Sequence, residues 1–204
     1  RAFLLIYKIM SLITDKWIGT EYFKIYDFNH IECYVGNAKQ SLYYYCLVMG
    51  FKVIAYKGPE TGNKNSCSYV LKNNRIIVIL TSPINSSHQS NEWINKHGDG
   101  IYDISFLVDD ANEAYESCIS RGAKSAYPPK YNDNNSYCSA GIKTYGDVIH
   151  SFVSKKNFRG VWAPGFIEMN EPDLKVRNTG LVRIDHIVGN VEENKMDYWK
   201  EYYE

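Results

Sequence analysis

Residues 183–190 read Arg-Ile-Asp-His-Ile-Val-Gly-Asn, and this stretch opens a structural unit that occurs more than once in the chain. Its histidine is flanked by β-branched residues, which favour an extended strand. The residues that follow, Asn-Val-Glu-Glu, give a helix-start signal, because an Asn side chain can accept a free N–H of the first turn. The stretch therefore predicts a strand and then a helix. This unit is begun but not completed before Glu204.

The same opening occurs twice earlier in the chain. Residues 27–35 alternate as a strand whose one side carries Phe28, His30 and Glu32. Residues 101–108 alternate in the same way. Helix caps are predicted after each strand, and their candidate residues are Asn37, Gly50, Asp110 and Glu113.

Each of these two openings predicts a full β-α-β-β-β module, whereas the third is only begun. A single sheet of this kind leaves one face uncovered, and two copies can cover it by pairing. We therefore expect an α+β fold of paired βαβββ modules. The further strands are predicted at 51–56, 66–71 and 75–81 in the first module, and at 124–127, 137–142 and 145–153 in the second, with a turn at Pro128-Pro129.

These modules predict four parts of the chain. Residues 1–26 form an N-terminal extension in which Met10 is the expected natural start. Residues 27–154 form one complete two-module domain. Residues 155–180 are a linker, because glycine and proline interrupt any regular element there. Residues 181–204 are the truncated start of a second domain, and we expect them to be poorly anchored unless they rest on the first.

Composition excludes several classes of partner. The chain has 23 basic and 23 acidic residues, so it lacks the electrostatic character of a nucleic-acid or anionic-membrane binder. Its apolar N-terminal residues fall far short of the roughly 20 that a membrane-spanning helix needs. The five cysteines are widely spaced and form no Cys-x-x-Cys pair, which favours reduced thiols in a cytoplasmic protein.

Several segments resemble the 4-hydroxyphenylpyruvate dioxygenase family of the vicinal-oxygen-chelate (glyoxalase-like) superfamily. The most specific are the histidine strand at 183–190 and Lys-His-Gly-Asp-Gly at 96–100. Three others agree with them in order and spacing: Phe-Asn-His-Ile-Glu at 28–32, Tyr-Gly-Asp-Val-Ile-His at 145–150 and Pro-Gly-Phe at 164–166. Together they cover roughly residues 27–204, so the chain resembles the amino-terminal part of such an enzyme.

The resemblance implies an Fe(II)-dependent 2-oxo acid dioxygenase of tyrosine and phenylalanine catabolism. Its substrates would be 4-hydroxyphenylpyruvate and O2, and its products would be homogentisate and CO2. The resemblance also implies a homodimer or a higher homo-oligomer. Iron is held by two histidines and a glutamate in the carboxyl-terminal pair of modules. The resemblance identifies His186 as the first ligand and Val188 as a pocket-lining, substrate-binding residue. The other ligands would lie beyond Glu204, so we expect this chain alone to be inactive.

Other functions remain open from the sequence. Hydroxymandelate synthase shares the fold, the iron and the substrate, and extradiol dioxygenases share the ligand types. The first 180 residues could also serve as a non-catalytic, glyoxalase-like scaffold or oligomerisation module.

A second metal site is suggested by His30 and Asp103, which hold equivalent places in the two modules, together with His150. Because the resemblance implies a metal-free amino-terminal domain, we expect His30 to be a packed, hydrogen-bonded side chain.

Overall fold

The computed structural model describes residues 2–5, 22–170, 172 and 174–204. They form two compact units. Unit 1 contains the segments up to residue 28, 105–156 and 184–204, and unit 2 contains residues 29–104 and 157–183. Met10 lies outside the described residues.

The elements alternate in the order expected for two modules. The strands are β1 (Ala2–Leu5), β2 (Ile25–Tyr34), β3 (Lys52–Lys57), β4 (Ser66–Asn73), β5 (Ile76–Pro83), β6 (Gly100–Val108), β7 (Ser125–Tyr131), β8 (Tyr137–Lys143), β9 (Ile149–Lys155), β10 (Ile167–Glu168) and β11 (Val188–Val191). The helices are α1 (Ala38–Met49), α2 (Gln89–His97), α3 (Ala111–Ser120) and α4 (Met196–Tyr203). None of these helices combines the length and the apolar composition that crossing a bilayer requires.

Both units use the same strand order. In unit 2 the sequence of neighbours is β10-β3-β4-β5-β2, with β2 parallel to β5 and the other neighbours antiparallel. In unit 1 the sequence is β6-β9-β8-β7. Each module therefore sets its first strand beside its last, followed by its third and its second. This shared order confirms the predicted α+β fold of repeated βαβββ modules.

Local capping chemistry explains where the helices begin and end. The Asn37 side chain accepts a hydrogen bond from the Gln40 N–H at 3.0 Å, and Gly50 ends α1 with φ of 74°. Asp110 accepts from the Asn112 and Glu113 N–H groups at the start of α3. These side chains satisfy helix-end groups that have no partner within the helix. The inward faces of both helices are apolar, with Leu42, Cys46, Ala111 and Ala114 buried.

The strand before β8 is longer than predicted. Strand β7 runs from Ser125 to Tyr131 and contains Pro128 and Pro129, which the sequence analysis assigned to a turn. Its register with β8 shifts between Tyr127 and Lys130. Proline has no N–H to donate to a ladder, and a terminal strand with a bulge accommodates that loss. The predicted turn is therefore wrong.

The predicted linker is attached to unit 2 by backbone contacts. Strand β10 pairs with β3, so that Ile167 lies opposite Tyr56. Further along, the Arg75 N–H donates to the Val182 carbonyl at 3.0 Å, and the Thr179 hydroxyl donates to the Met49 carbonyl at 2.9 Å. Residues 157–183 are therefore part of unit 2 although they hold little regular structure.

The last residues of the chain pack within unit 1. Strand β11 pairs antiparallel with β1, and Gly189 lies so close to the Tyr145 ring that a Cβ atom there would come within 2.4 Å of it. The α4 residue Trp199 packs edge-on against Tyr145, with ring centroids 5.8 Å apart. Asn190 lies in β11 and does not cap α4, whose N-cap residue is Lys195. These contacts anchor residues 184–204.

Candidate functional site: a histidine–carboxylate cluster

Three side chains with metal-ligating atoms converge in unit 2. His30 and Glu32 come from β2, and Asp103 comes from β6. One ligand atom from each lies within 4.8 Å of the other two. The relative exposures of His30 and Asp103 are 8% and 4%, and Glu32 is partly buried. A β-strand brings residues i and i+2 to one face, which explains why a His-x-Glu sequence can contribute both side chains.

The imidazole of His30 has a different neighbour at each nitrogen. Nε2 lies 3.8 Å from Asp103 Oδ2, and Nδ1 lies 2.8 Å from Nδ2 of the Asn29 side-chain amide, whose N–H donates to it. The indole of Trp162 approaches the imidazole edge-on, with centroids 5.8 Å apart. The ring is therefore held between a polar partner on one side and an apolar wall on another.

Glu32 is oriented by a row of hydroxyl groups. The Thr81 hydroxyl donates to Glu32 Oε1 at 2.6 Å, and Ser68 Oγ lies 2.8 Å from Thr81 Oγ1. Burial raises the pKa of Glu32, although the Thr81 hydrogen bond and the charge of Lys57 act in the opposite direction. The folded protein therefore holds this carboxylate at an energetic cost in its ionised form.

The third residue considered with His30 and Asp103 lies elsewhere. His150 belongs to unit 1, where its Nε2 is 2.8 Å from the Tyr203 hydroxyl and its ring packs edge-on against Phe106 at 5.3 Å. Among the described residues, the metal-type group consists of His30, Glu32 and Asp103. His150 is a buried, hydrogen-bonded packing residue, and so is His30, as the sequence predicted for His30.

The two predicted site residues near the end of the chain lie in unit 1. His186 precedes β11 and is exposed, and its Nδ1 lies 3.1 Å from Asp185 Oδ2. Val188 opens β11 and is 43% exposed. Of the predicted strand at 183–190, only the residues from 188 onward are a strand. Within the described part of the chain, His186 is not a member of any group of three ligand-type side chains.

Sequence reasoning missed Glu32 and Thr81 as parts of the cluster. The alternation of His30 with Glu32 was visible, but Thr81 reaches the carboxylate only through the pairing of β2 with β5. The side chains of His30, Glu32 and Asp103 are of the types that bind metals, because imidazole nitrogen and carboxylate oxygen are both ligands of first-row divalent metal ions.

Known proteins resemble this chain along most of its length. It is 38% identical over 197 residues to the 4-hydroxyphenylpyruvate dioxygenase of Aspergillus fumigatus, covering 87% of this chain and 49% of that protein. The enzymes of the same name from Danio rerio and Tetrahymena thermophila are 36% and 34% identical, covering 92% and 89% of this chain and 49% and 47% of theirs. The chain thus spans about half the length of the curated relatives that it matches.

Solved structures and a family model agree on the fold. A triple mutant of 4-hydroxymandelate synthase from Streptomyces coelicolor superposes with a TM-score of 0.64 at 21% identity, covering 78% of this chain and 44% of that one. A methylmalonyl-CoA epimerase from the same organism gives 0.56 at 17% identity, covering 65% and 99%. The model of the Glyoxalase/Bleomycin resistance protein/Dioxygenase superfamily matches residues 27–144. The chain therefore belongs to the Glyoxalase/Bleomycin resistance protein/Dioxygenase superfamily.

Proposed function

We propose that this chain is part of a 4-hydroxyphenylpyruvate dioxygenase, which converts 4-hydroxyphenylpyruvate and O2 to homogentisate and CO2. The observation that supports this function is the similarity to enzymes of that name over about nine-tenths of the chain, at 34–38% identity. The proposed enzyme uses Fe(II), acts in the cytoplasm in tyrosine and phenylalanine catabolism, and is a homodimer or higher homo-oligomer. The five free cysteines are compatible with a reducing compartment.

In this proposal His186 supplies one iron ligand. The carboxylate of Asp185, 3.1 Å from Nδ1, accepts the Nδ1 proton and leaves the Nε2 lone pair for the metal. The same contact holds the pKa of Asp185 below its ordinary value. Asp185 thus acts as a positioning residue, and Val188, two positions beyond His186, would line the substrate pocket.

The described residues do not complete an iron site around His186. A ferrous facial triad needs two further protein ligands, and among the described residues His186 belongs to no group of three ligand-type side chains. The 204-residue chain should therefore form no homogentisate when it is supplied with Fe(II), substrate and O2. Robust turnover by the purified chain would contradict the proposal.

A chimera tests the assignment of His186. The matching segment of the Aspergillus fumigatus relative is replaced by this chain, and homogentisate is measured by chromatography. We expect activity, and we expect His186→Ala to reduce it at least about 100-fold, since even an indirect disturbance of a metal ligand costs 10–100-fold. His97→Ala, which removes an exposed histidine, is the matched control. A folded chimera without activity, or one indifferent to His186→Ala, would refute the assignment.

The alternative product is 4-hydroxymandelate, because the fold is shared with a hydroxymandelate synthase. Product analysis of the natural protein that contains this chain separates the two reactions. Homogentisate supports the proposal, and 4-hydroxymandelate overturns it.

A further inference from the structure

We propose that the outward face of helix α1, in unit 2, binds a second copy of this chain. The face is formed by four side chains, here named the α1 stripe: Tyr43, Tyr44, Leu47 and Val48. The inference rests on the proposed function only for the expectation of a homo-oligomer, and it uses none of the residues assigned to catalysis. The observations that support it are the exposure of the stripe, the charges of α1 and the area that pairing buries.

The α1 stripe is apolar and exposed to solvent. The relative exposures of Tyr43, Tyr44, Leu47 and Val48 are 39%, 58%, 52% and 55%. Residues three or four positions apart share one face of a helix, so the four side chains form a continuous strip. The opposite face of α1, which includes Leu42, is buried against strands of unit 2. Apolar residues on both faces are typical of a helix that is covered on both sides.

The equivalent helix of the other module is an internal comparison. Helix α3 also buries an apolar inner face, which includes Ala111 and Ala114. Its exposed residues are Glu113, Glu116 and Ser120. Polar and charged side chains are usual on the outer face of a helix that packs on one side only. Because the same element of the repeat has a polar outer face in unit 1, the fold does not require the apolar stripe of α1.

The charges of α1 favour a second copy as the occupant. Lys39 is the only charged residue in the sequence of this helix, and it lies in the first turn, where the macrodipole disfavours a cation. Two copies of α1 that run antiparallel about a two-fold axis place each Lys39 near the last turn of the other helix. That turn has no basic residue of its own and carries the negative end of the dipole. The antiparallel pair is therefore complementary in charge as well as in apolar surface.

A membrane surface and a strongly charged protein are less suitable occupants. Helices that lie on membranes are rich in Lys and Arg beside their apolar face, and α1 contains a single lysine. A partner recognised by its charge needs opposite charges on this surface, and the stripe has none. An uncharged stripe can meet its own copy without bringing like charges together.

The area of the contact predicts a weak dimer. At about 150–200 Å² for each fully exposed side chain, the stripe supplies roughly 300–400 Å² per chain. The exposed Lys39 and Gln40 at its margin bring the total for two copies to about 1,000 Å², which is the low end for specific interfaces. We therefore expect a dissociation constant of about 10 µM to 1 mM.

Sedimentation equilibrium of the 204-residue chain tests the proposal without any measure of activity. Between about 5 µM and 1 mM, the average mass should rise from that of a monomer towards twice that value. A chain that stays monomeric throughout overturns the proposal, and so does a monomer that cosediments with vesicles of phosphatidylcholine and phosphatidylserine. Because neither iron nor substrate is present, such a failure leaves the proposed dioxygenase activity untouched.

Variants decide whether the α1 stripe is the contact. Leu47→Glu should weaken association at least about 100-fold, because each dimer then buries two carboxylates. Leu47→Met keeps an apolar side chain of similar volume and should associate as wild type does. Ile84→Glu is the matched control, since Ile84 is 51% exposed in the same unit but lies outside the stripe. Circular dichroism checks that each variant is folded, and undiminished association of a folded Leu47→Glu chain overturns the proposal.

A mixture of two variants tests the antiparallel arrangement. A two-fold axis through the middle of the stripe sets Tyr44 of one copy against Leu47 of the other, and the contact occurs twice. Tyr44→Lys and Leu47→Glu should each be monomeric at about 100 µM. Their equimolar mixture should form a dimer, because one contact then joins Lys to Glu and the other keeps the natural residues. A mixture that stays monomeric overturns the antiparallel pairing.

Discussion

The two units share one strand order but differ in what they bury. In unit 1, rings of Phe28, Phe106 and Phe152 pack on one another, and His150 joins them beside Tyr203. In unit 2, the corresponding region of its first strand carries His30 and Glu32, with Asp103 alongside. The same backbone pattern therefore supports an aromatic interior in one unit and an ionisable cluster in the other.

This difference separates what the fold requires from what a site requires. Aromatic rings stabilise unit 1 through buried area and edge contacts. Carboxylates at partly buried positions oppose folding unless a proton, a cation or a hydrogen bond compensates them. Unit 1 should therefore lose stability when its rings are cut back. Unit 2 should gain stability when its charge is neutralised.

The largest effect is expected from Phe106→Ala in unit 1. Phe106 is 3% exposed and contacts Phe28 and His150 at centroid distances of 5.5 and 5.3 Å. Removing the ring should lower the free energy of unfolding by about 3–5 kcal/mol, measured by urea denaturation. Phe106→Leu, which keeps most of the volume, should cost much less. A loss below about 1 kcal/mol for Phe106→Ala would show that aromatic packing does not support unit 1.

The next effect has the opposite sign. Glu32→Gln keeps the shape of the side chain and an oxygen that accepts from the Thr81 hydroxyl. It removes the carboxylate charge, which burial disfavours, as the raised pKa of Glu32 indicates. In metal-free buffer at pH 7 we expect a gain of about 1 kcal/mol in unfolding free energy. The exposed Glu201→Gln should change nothing measurable. A destabilised Glu32→Gln protein would mean that the ionised carboxylate is well compensated without metal.

A smaller loss is expected when a single hydroxyl is removed from unit 1. Tyr203→Phe takes away the group 2.8 Å from His150 Nε2 and leaves the ring. One hydrogen bond of this type contributes about 0.5–1.5 kcal/mol. Tyr198→Phe, at an exposed position of the same helix, should be neutral. Equal stability of the two variants would show that this hydrogen bond does not help to anchor α4.

The smallest effect concerns pH. Burial lowers the pKa of Lys155 to about 8, so between pH 8 and about 10 the unfolded chain binds more protons at this residue than the folded one does. Its contribution to unfolding free energy therefore rises with pH, by less than about 1.4 kcal/mol per pH unit because the side chain is partly exposed. The buried Cys33 thiol, with its pKa raised to about 11, acts in the opposite direction.

The free energy of unfolding is therefore measured for wild type and for Lys155→Gln between pH 8 and about 9.5, and the two profiles are compared. The variant should lose stability more steeply with rising pH than wild type does. Parallel pH profiles would show that Lys155 is solvated in the folded protein.

Local chemistry made most of the fold predictable. Asn37, Gly50 and Asp110 act as caps where the sequence indicated, because capping depends on residues three or four positions apart. The β-α-β-β-β order of elements along the chain followed from recognising the repeat, whereas the order of the strands within the sheets came only from the structure. Pro128-Pro129 was misassigned because proline is common in turns. Strand β7 tolerates both prolines because it lies at the end of the strand order, and this position is known only from the structure.

The candidate site was predictable only in part. His30 and Asp103 stood out as equivalent positions of two modules, and the structure does bring them together. Glu32 and its hydroxyl partners depend on the pairing of β2 with β5 and on the pairing of β4 with β5. Such long-range pairing leaves no local trace in the sequence. The iron ligand His186 and the pocket residue Val188 stay predictions.

The close approach of Gly189 to the phenol ring of Tyr145 disfavours a side chain at position 189, because a Cβ atom there would lie 2.4 Å from the buried ring. A methyl group would require either the Tyr145 ring or β11 to move, and a shift of β11 would also move the preceding residues, which include His186. A close steric contact therefore lies three residues from the proposed metal ligand.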